Sequence, residues 1–261
     1  MKLTPLKNSD IILPAELEYL ATGAKLYDSS CSPEAKVIFV DKDGGYFIKS
    51  APKATLARET AMIKYFNSKG LSAEVLTYIS DEKDWLVTRK IIGDDCTTAK
   101  YIYEPEKLCD IFAEQLALLH ALDYADCPIQ NHTTLYLASA QRNYLAGTYD
   151  KSHFPDSFGY KTPEEAWAVV KSEGHMLQAT TLLHGDYCLP NVILDNWNFS
   201  GFIDLDNGGV GDRHVDIFWG IWTLAFNLKT DKYCQRFKDA YGRNNINEDI
   251  LRIVSAIEVF G

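Results

Sequence analysis

The sequence predicts an α+β protein of bilobal form: an antiparallel β-sheet lobe with one helix over residues 1–93, then a larger, mainly helical lobe over residues 94–261. Three observations predict it. Short β-branched and aromatic runs, separated by turns rich in Gly and Asp, fill the first part and leave room for one helical stretch. After Asp95 the apolar residues recur with the helical period. Within that helical part, residues 181–204 read as short buried strands, each ended or interrupted by a polar residue.

Ile12–Leu20 is expected as a short helix entered near Pro14. Lys36–Asp41 reads as a strand, Asp41-Lys42-Asp43-Gly44-Gly45 as a hairpin turn, and Tyr46–Lys49 as the returning strand, with Lys49 at its end. Ahead of that hairpin, the small residues Ser29–Ser32 fit a loop whose backbone N–H groups cover phosphates, with Ser30 and Ser32 as nucleotide contacts. An ordinary connection fits them equally well. Phe47 shares a face with Lys49 and either stacks on a purine or is plain core. Thr55–Lys69 is expected as a helix closed by Gly70. Leu56, Ile63 and Phe66 form its apolar face, and Glu59 stands in the middle of it. A carboxylate facing a core needs a partner, and Lys49 on the neighbouring strand supplies one. Glu74–Ile79 and Trp85–Lys90 are the next strands, joined by the polar turn Ser80–Asp84. The lobe hinge is expected at Thr88–Gly93, where the backbone near Ile91 meets an adenine edge.

Three helical stretches follow: Glu104–Leu122, Ala138–Tyr149 and Glu164–Ser172, the last with Thr162 as cap and Pro163 at its first position. Asp150–Lys161 reads as loop. Arg213–Leu228, capped by Asp212, is apolar almost all round and is therefore expected to be buried. Asp216 in its first turn then needs donors. Asp231–Tyr241 and Asn247–Phe260 are amphipathic helices.

Composition narrows the classes. At 261 residues, 46% hydrophobic and 24% charged, the chain suits an ordinary globular protein. No apolar run has the length to span a bilayer, and the Met1-Lys2-Leu3-Thr4-Pro5 start lacks a secretory apolar segment, so cytoplasmic residence is expected. The 6 cysteines are scattered without metal spacing and read as reduced thiols, Cys188 among them as a packed one. A formal charge of −10 argues against nucleic acid as a partner and would draw in a polycationic small molecule. Solubility alone accounts for the same charge.

The chemistry is carried by Leu182–Asp206. Asp186, Asn191 and Asp204 each border a buried run, where a carboxylate needs a cation or donors. His184-x-Asp186-x-x-x-x-Asn191 has the spacing of a kinase catalytic loop, in which the Asp takes the proton of the attacking hydroxyl and the Asn holds Mg²⁺. A hairpin, Val192–Leu194 and Phe199–Ile203 around a turn at residues 195–198, returns Asp204 as a second metal ligand. Lys49, positioned by Glu59, belongs on the α/β-phosphates. Gly185 stands where protein kinases carry Arg, and Asp204-Leu205-Asp206 replaces Asp-Phe-Gly. Both departures point to a small-molecule acceptor. His184 is expected to brace the loop.

With Gly211-Asp212-Arg213-His214-Val215-Asp216-Ile217 beyond them, these residues resemble the aminoglycoside phosphotransferases, and most of all the 3′-phosphotransferases. The resemblance runs from about Ala21 to Phe260 and is densest from Leu183 to Ile217. It implies a protein-kinase-like fold, ATP or GTP with Mg²⁺ in the cleft, and an aminoglycoside acceptor whose phosphorylation gives antibiotic resistance. It also implies that Asp216 holds the backbone of the catalytic loop. The family's acidic-aromatic C-terminus reaches the drug; here Glu258 and Phe260 match it, Ile257 stands in place of an acidic residue, and Gly261 is one residue more. Asp156, Asp206, Arg213, Glu258 and Phe260 are the expected substrate contacts. A monomer or weak dimer, with neither nucleic acid nor membrane as partner, is expected. Two other functions stay open: a choline, sugar, homoserine or macrolide kinase on the same fold, and a nucleotide-binding module without transfer activity. The intact Lys49, Asp186, Asn191 and Asp204 speak against the second.

Overall fold

A computed structural model of the chain describes residues 3–7, 11–31, 35–149 and 159–261. The chain forms two compact units, Met1–Thr98 with Val192–Asp206, and Ala99–Asn191 with Asn207–Gly261. Elements are numbered in chain order.

The first unit is built on an antiparallel sheet in the order β1-β2-β3-β4-β6-β5. Its strands are β1 (Thr4–Leu6), β2 (Lys25–Asp28), β3 (Lys36–Asp41), β4 (Tyr46–Pro52), β5 (Val75–Ser80) and β6 (Lys83–Arg89). Strand β1 goes unannounced in the sequence, and β2 is implied there only as the strand that leads into Ser29–Ser32. They are too short to show alternation and owe their form to neighbours, as where Leu26 lies opposite Val40 of β3. β4 runs on to Pro52 rather than ending at Lys49, because Ser50, Ala51 and Pro52 pair with Trp85, Asp84 and Lys83. One face of this sheet buries Leu26, Ile38, Val40, Ile48 and Val87 with Leu17 and Leu20. The helix expected over Ile12–Leu20 is a single 3₁₀ turn, Ala15–Leu17, followed by the short α1 (Glu18–Ala21).

Helix α2 (Ala57–Ser68) starts at Ala57 and not at Thr55, whose hydroxyl donates to the Pro52 carbonyl at 2.6 Å and holds it in a turn. Gly70, at φ +73°, closes it as expected. The later hairpin belongs to this unit too: β9 (Val192–Asp195) and β10 (Asn198–Phe202) form a sheet in the order β10-β9-β7 with the two-residue β7 (Asp94–Asp95). Asn196 and Trp197, at φ +48° and +73°, make the tight turn between them.

The second unit holds α3 (Ala99–Ile102), α4 (Pro105–His120), α5 (His132–Ala146) and α6 (Pro163–Glu173). A strand pair follows, β8 (Thr181–Leu183) with β11 (Gly209–Gly211), then α7 (His214–Leu228), α8 (Cys234–Tyr241) and α9 (Glu248–Glu258). Helix α5 sits earlier than expected and stops at Gly147 in the left-handed region. The core joins Ala166 and Val170 of α6, Val215 of α7 and Ile253, Val254 and Ile257 of α9. Helix α7 is not buried all round. Trp219 and Trp222 are half-buried and Phe226 is 54% exposed. Trp222 and Phe226 stack on each other at 4.9 Å, so part of that flank is shielded by its own rings. Among the described residues no helix is long and apolar enough to cross a membrane.

Candidate active site

In the first unit, Lys49 on β4 faces away from the Ile48 side of the sheet. Its ammonium lies 3.0 Å from Glu59 Oε1 and 3.3 Å from Asp204 Oδ1. Helix α2 places Glu59 in its apolar stripe, where the side chain is only 5% exposed. Burial works against the lysine charge. The Asp204 and Glu59 carboxylates outweigh it and hold the Lys49 pKa above the ordinary value. Asp204 follows β10 in the left-handed region, at φ +59°, which costs a non-glycine residue about 1 kcal/mol or more. Asp206 is close by: burial raises its carboxyl pKa, with Arg58 and Lys49 pulling the other way. The expected Lys–Glu pair is therefore formed, and Asp204 joins it.

The other nucleotide candidates fall on the same unit. Phe47 is half-buried and packs on Phe39 at 5.1 Å, on the face that Lys49 shares. The Ser30 hydroxyl accepts from Val37 N at 2.9 Å and closes the base of its loop, while Ser30 N donates to Asp28. Ile91 packs over Gly201, where a Cβ would stand 2.8 Å from its Cδ1. Ser32 lies outside the described residues, as does Asp156.

In the second unit, the loop after β8 is tied down at nearly every residue. Asp216 on α7 accepts the backbone N–H of His184 at 2.8 Å and of Gly185 at 2.7 Å. His184 Nδ1 accepts from Asp186 N at 3.3 Å, the bracing role expected of it. Tyr187 stacks on Phe112 at 4.4 Å and donates to its carbonyl. Leu189 N donates to Thr223 Oγ1. From Thr181 to Leu189 every residue is buried except Asp186. Asn191 Nδ2 donates to both the Asp186 carbonyl, at 2.9 Å, and its Oδ2, at 2.8 Å. Burial pushes the Cys188 thiol far up, which makes it a packing group and not a nucleophile.

Glu258, at the end of α9, is 8% exposed. Its Oε1 accepts from the Tyr136 hydroxyl at 2.6 Å and from Trp219 Nε1 at 3.0 Å. Burial pushes its pKa up to about 7; those two hydrogen bonds oppose the rise and the negative charge of Asp186 adds to it. Phe260 has no exposed surface. Its ring closes the core against Tyr144, Tyr149 and Trp167, so as placed it supports the terminus rather than offering a face to a substrate. Arg213 is turned towards the Tyr241 hydroxyl.

The model of the phosphotransferase enzyme family matches residues 29–253. The chain belongs to that family. The phosphotransferase is 47% identical over 249 residues to a protein of Lactococcus lactis subsp. lactis (strain IL1403) described as a probable aminoglycoside 3′-phosphotransferase, with 95% of each chain covered. Among solved structures it is similar to an aminoglycoside-3′-phosphotransferase of type VIII, with a TM-score of 0.76, 22% identity and 92% and 94% of the two chains covered. It is also similar to an aminoglycoside phosphotransferase of Streptomyces rimosus in complex with ADP and streptomycin, with a TM-score of 0.72, 19% identity and 86% and 90% covered. These two likenesses establish the α+β, protein-kinase-like fold that the sequence predicts.

Several residues that hold the candidate groups in place carry no motif. Asp84, fully buried, accepts from Ala54 N, Leu56 N, the Tyr78 hydroxyl and the Ser80 hydroxyl, and so fixes the entry to α2. In the sequence it reads only as the last residue of the polar turn Ser80–Asp84. Tyr136 and Trp219 give no signal, since a buried aromatic reads as core whether or not its polar end is used. The two expected metal residues, one in each unit, each carry an oxygen of the kind that Mg²⁺ takes. Asn191 commits its Nδ2 to Asp186, which leaves its Oδ1 free to coordinate, and the Asp204 carboxylate is 53% exposed; both are hard oxygens.

Proposed function

We propose that this phosphotransferase moves the γ-phosphate of ATP or GTP to a hydroxyl of an aminoglycoside, the 3′-hydroxyl by likeness to its relatives, and so confers resistance to the drug. The observation that carries the reading is the loop of Asp186: one accessible carboxylate in a buried segment tied down at nearly every residue, with Asn191 pinning its Oδ2. In the reaction, the acceptor oxygen bonds to the γ-phosphorus as the bond to the nucleoside diphosphate breaks. The hydroxyl proton passes to the Asp186 carboxylate. Lys49, held by Glu59, stabilises charge on the α/β-phosphates. Asn191 and Asp204 would hold Mg²⁺, which when bound would supply positive charge to the phosphate oxygens. Most of the rate comes from positioning and charge stabilisation, with modest help from the base. Asp206, and Glu258 in its ionised form, are the carboxylates offered to the ammonium groups of the acceptor.

The test is the variant Asp186→Ala, assayed for ADP release against a panel of aminoglycosides, with NMR of the product to locate the phosphate. Turnover is expected to fall at least about a hundredfold, in the range that loss of a positioned base costs, while Mg·ATP still raises the melting temperature. Undiminished turnover, or wild-type turnover on choline or macrolides and on no aminoglycoside, would overturn the reading.

A further inference from the structure

A line of polar side chains crosses the second unit from α8 to the loop of Asp186. The Tyr241 hydroxyl, at the end of α8, is 2.8 Å from His120 Nδ1. His120 Nε2, at the end of α4, is 3.1 Å from Asp216 Oδ2. Asp216 in turn holds His184 N and Gly185 N. Tyr241, His120 and Asp216 are all buried, and the positive charge of the half-buried Arg213 bears on the Tyr241 hydroxyl.

With His120 neutral, the Asp216 carboxylate sets the direction of the protons between it and Tyr241. An ionised carboxylate only accepts. His120 therefore carries its proton on Nε2, facing Asp216, and its Nδ1 accepts from the Tyr241 hydroxyl. Burial keeps the imidazole neutral, with Asp216 opposing it, so the line keeps its sense at neutral pH. Three buried side chains are joined in this way, and removing the Tyr241 hydroxyl leaves His120 Nδ1 without its donor.

We propose that Tyr241, backed by Arg213, is a positioning residue for phosphoryl transfer. Through His120 and Asp216 it fixes the backbone of His184 and Gly185, and with it the place of the Asp186 carboxylate. The proposal rests on the assignment of Asp186 above. Displacing a reacting group by a fraction of an ångström slows a positioned reaction, and nucleotide binding through Lys49 does not depend on that place.

Tyr241→Phe removes the hydroxyl and keeps the ring, which lies parallel to Phe237 at 6.5 Å. The expected result is a fall in kcat of about tenfold, within what small misplacements cost, with the KM for nucleotide unchanged. The assay is run well below the melting temperature. Arg236→Gln is the comparison: it removes the ion pair with Asp110 that also ties α8 to α4, at 2.6 Å, and is expected to lower stability without changing kcat. Should Tyr241→Phe not fold, Arg213→Met tests the same line from its open end, with a smaller fall in kcat. Nitrogen-15 NMR of the wild-type imidazoles is expected to show His120 protonated on Nε2 alone. Wild-type kcat in the folded Tyr241 and Arg213 variants, or a His120 proton on Nδ1, would overturn the proposal. Measuring Asp186→Ala in parallel separates the two assignments: if that variant stays active the base is wrong, and the tautomer still judges the line.

Discussion

The Asn207 carbonyl oxygen stands where residue 185 would need room for a side chain. Gly185 has a φ of +86°, and a Cβ there would be 1.9 Å from that oxygen. The arginine of the protein-kinase loop is thus excluded by the chain itself, and the departure visible in the sequence has a steric cause. Glu258 poses the opposite problem, a charge with too little water. Its carboxyl titrates at about 7 in the folded state against 4.5 for an ordinary glutamate. Between these values the folded chain holds a proton that the unfolded chain has lost. Stability therefore falls as pH rises from 4.5 to 7 and stays reduced above, by on the order of 3 kcal/mol at 1.36 kcal/mol per pKa unit. Glu258→Gln keeps an acceptor for Tyr136 and Trp219 and cannot ionise. Relative to the wild type it is expected to gain about 2 kcal/mol on going from pH 5 to pH 8 by that linkage, read from denaturant unfolding at both pH values. Parallel pH profiles for the two proteins would sink the assignment.

At the scale of elements, α2 shows what was legible and what was not. Its apolar stripe, its closing Gly70 and the misplaced carboxylate Glu59 are local signals, and together they locate the Lys49 pair. The hairpin carrying Asp204 was legible for the same reason, since turn and strand signals lie within a dozen residues. The device that aims α2 is not local. Asp84 reaches back to Ala54 N at 2.9 Å and Leu56 N at 2.8 Å, about thirty residues upstream, and in sequence it reads as one more polar residue of a turn. The Tyr136–Glu258 bond, the Arg213–Tyr241 contact and the burial of Phe260 escape the sequence likewise, because each depends on which helices meet. Asp84→Ala strips four donors of their acceptor. It is expected to cost about 3 kcal/mol or more, at 1–3 kcal/mol per buried group left unpaired, and to raise the KM for nucleotide by shifting Glu59 off Lys49. Thermal unfolding and nucleotide titration check both. A variant with the wild-type KM would mean that Lys49 is held without help from the start of α2.

For the whole molecule, the quantity that matters is the excess of 36 Asp and Glu over 26 Lys and Arg, a formal charge of −10. Composition gave that number but not its use, because the same charge serves solubility. Ionic strength separates the two uses. A field that draws in a polycation acts over a Debye length, which shrinks from about 10 Å at 0.1 M salt to about 3 Å at 1 M. The encounter of a multiply charged acceptor with the enzyme should therefore slow as salt is added, while the chemical step, inside a site lined by buried and hydrogen-bonded groups, should not. The expectation is a kcat/KM for the aminoglycoside that falls severalfold or more between low and high salt, with kcat nearly constant. An acceptor carrying fewer ammonium groups should show a shallower slope, since each lost charge removes one share of the attraction. Equal slopes for acceptors of different charge would leave the acidic surface with solubility as its only role.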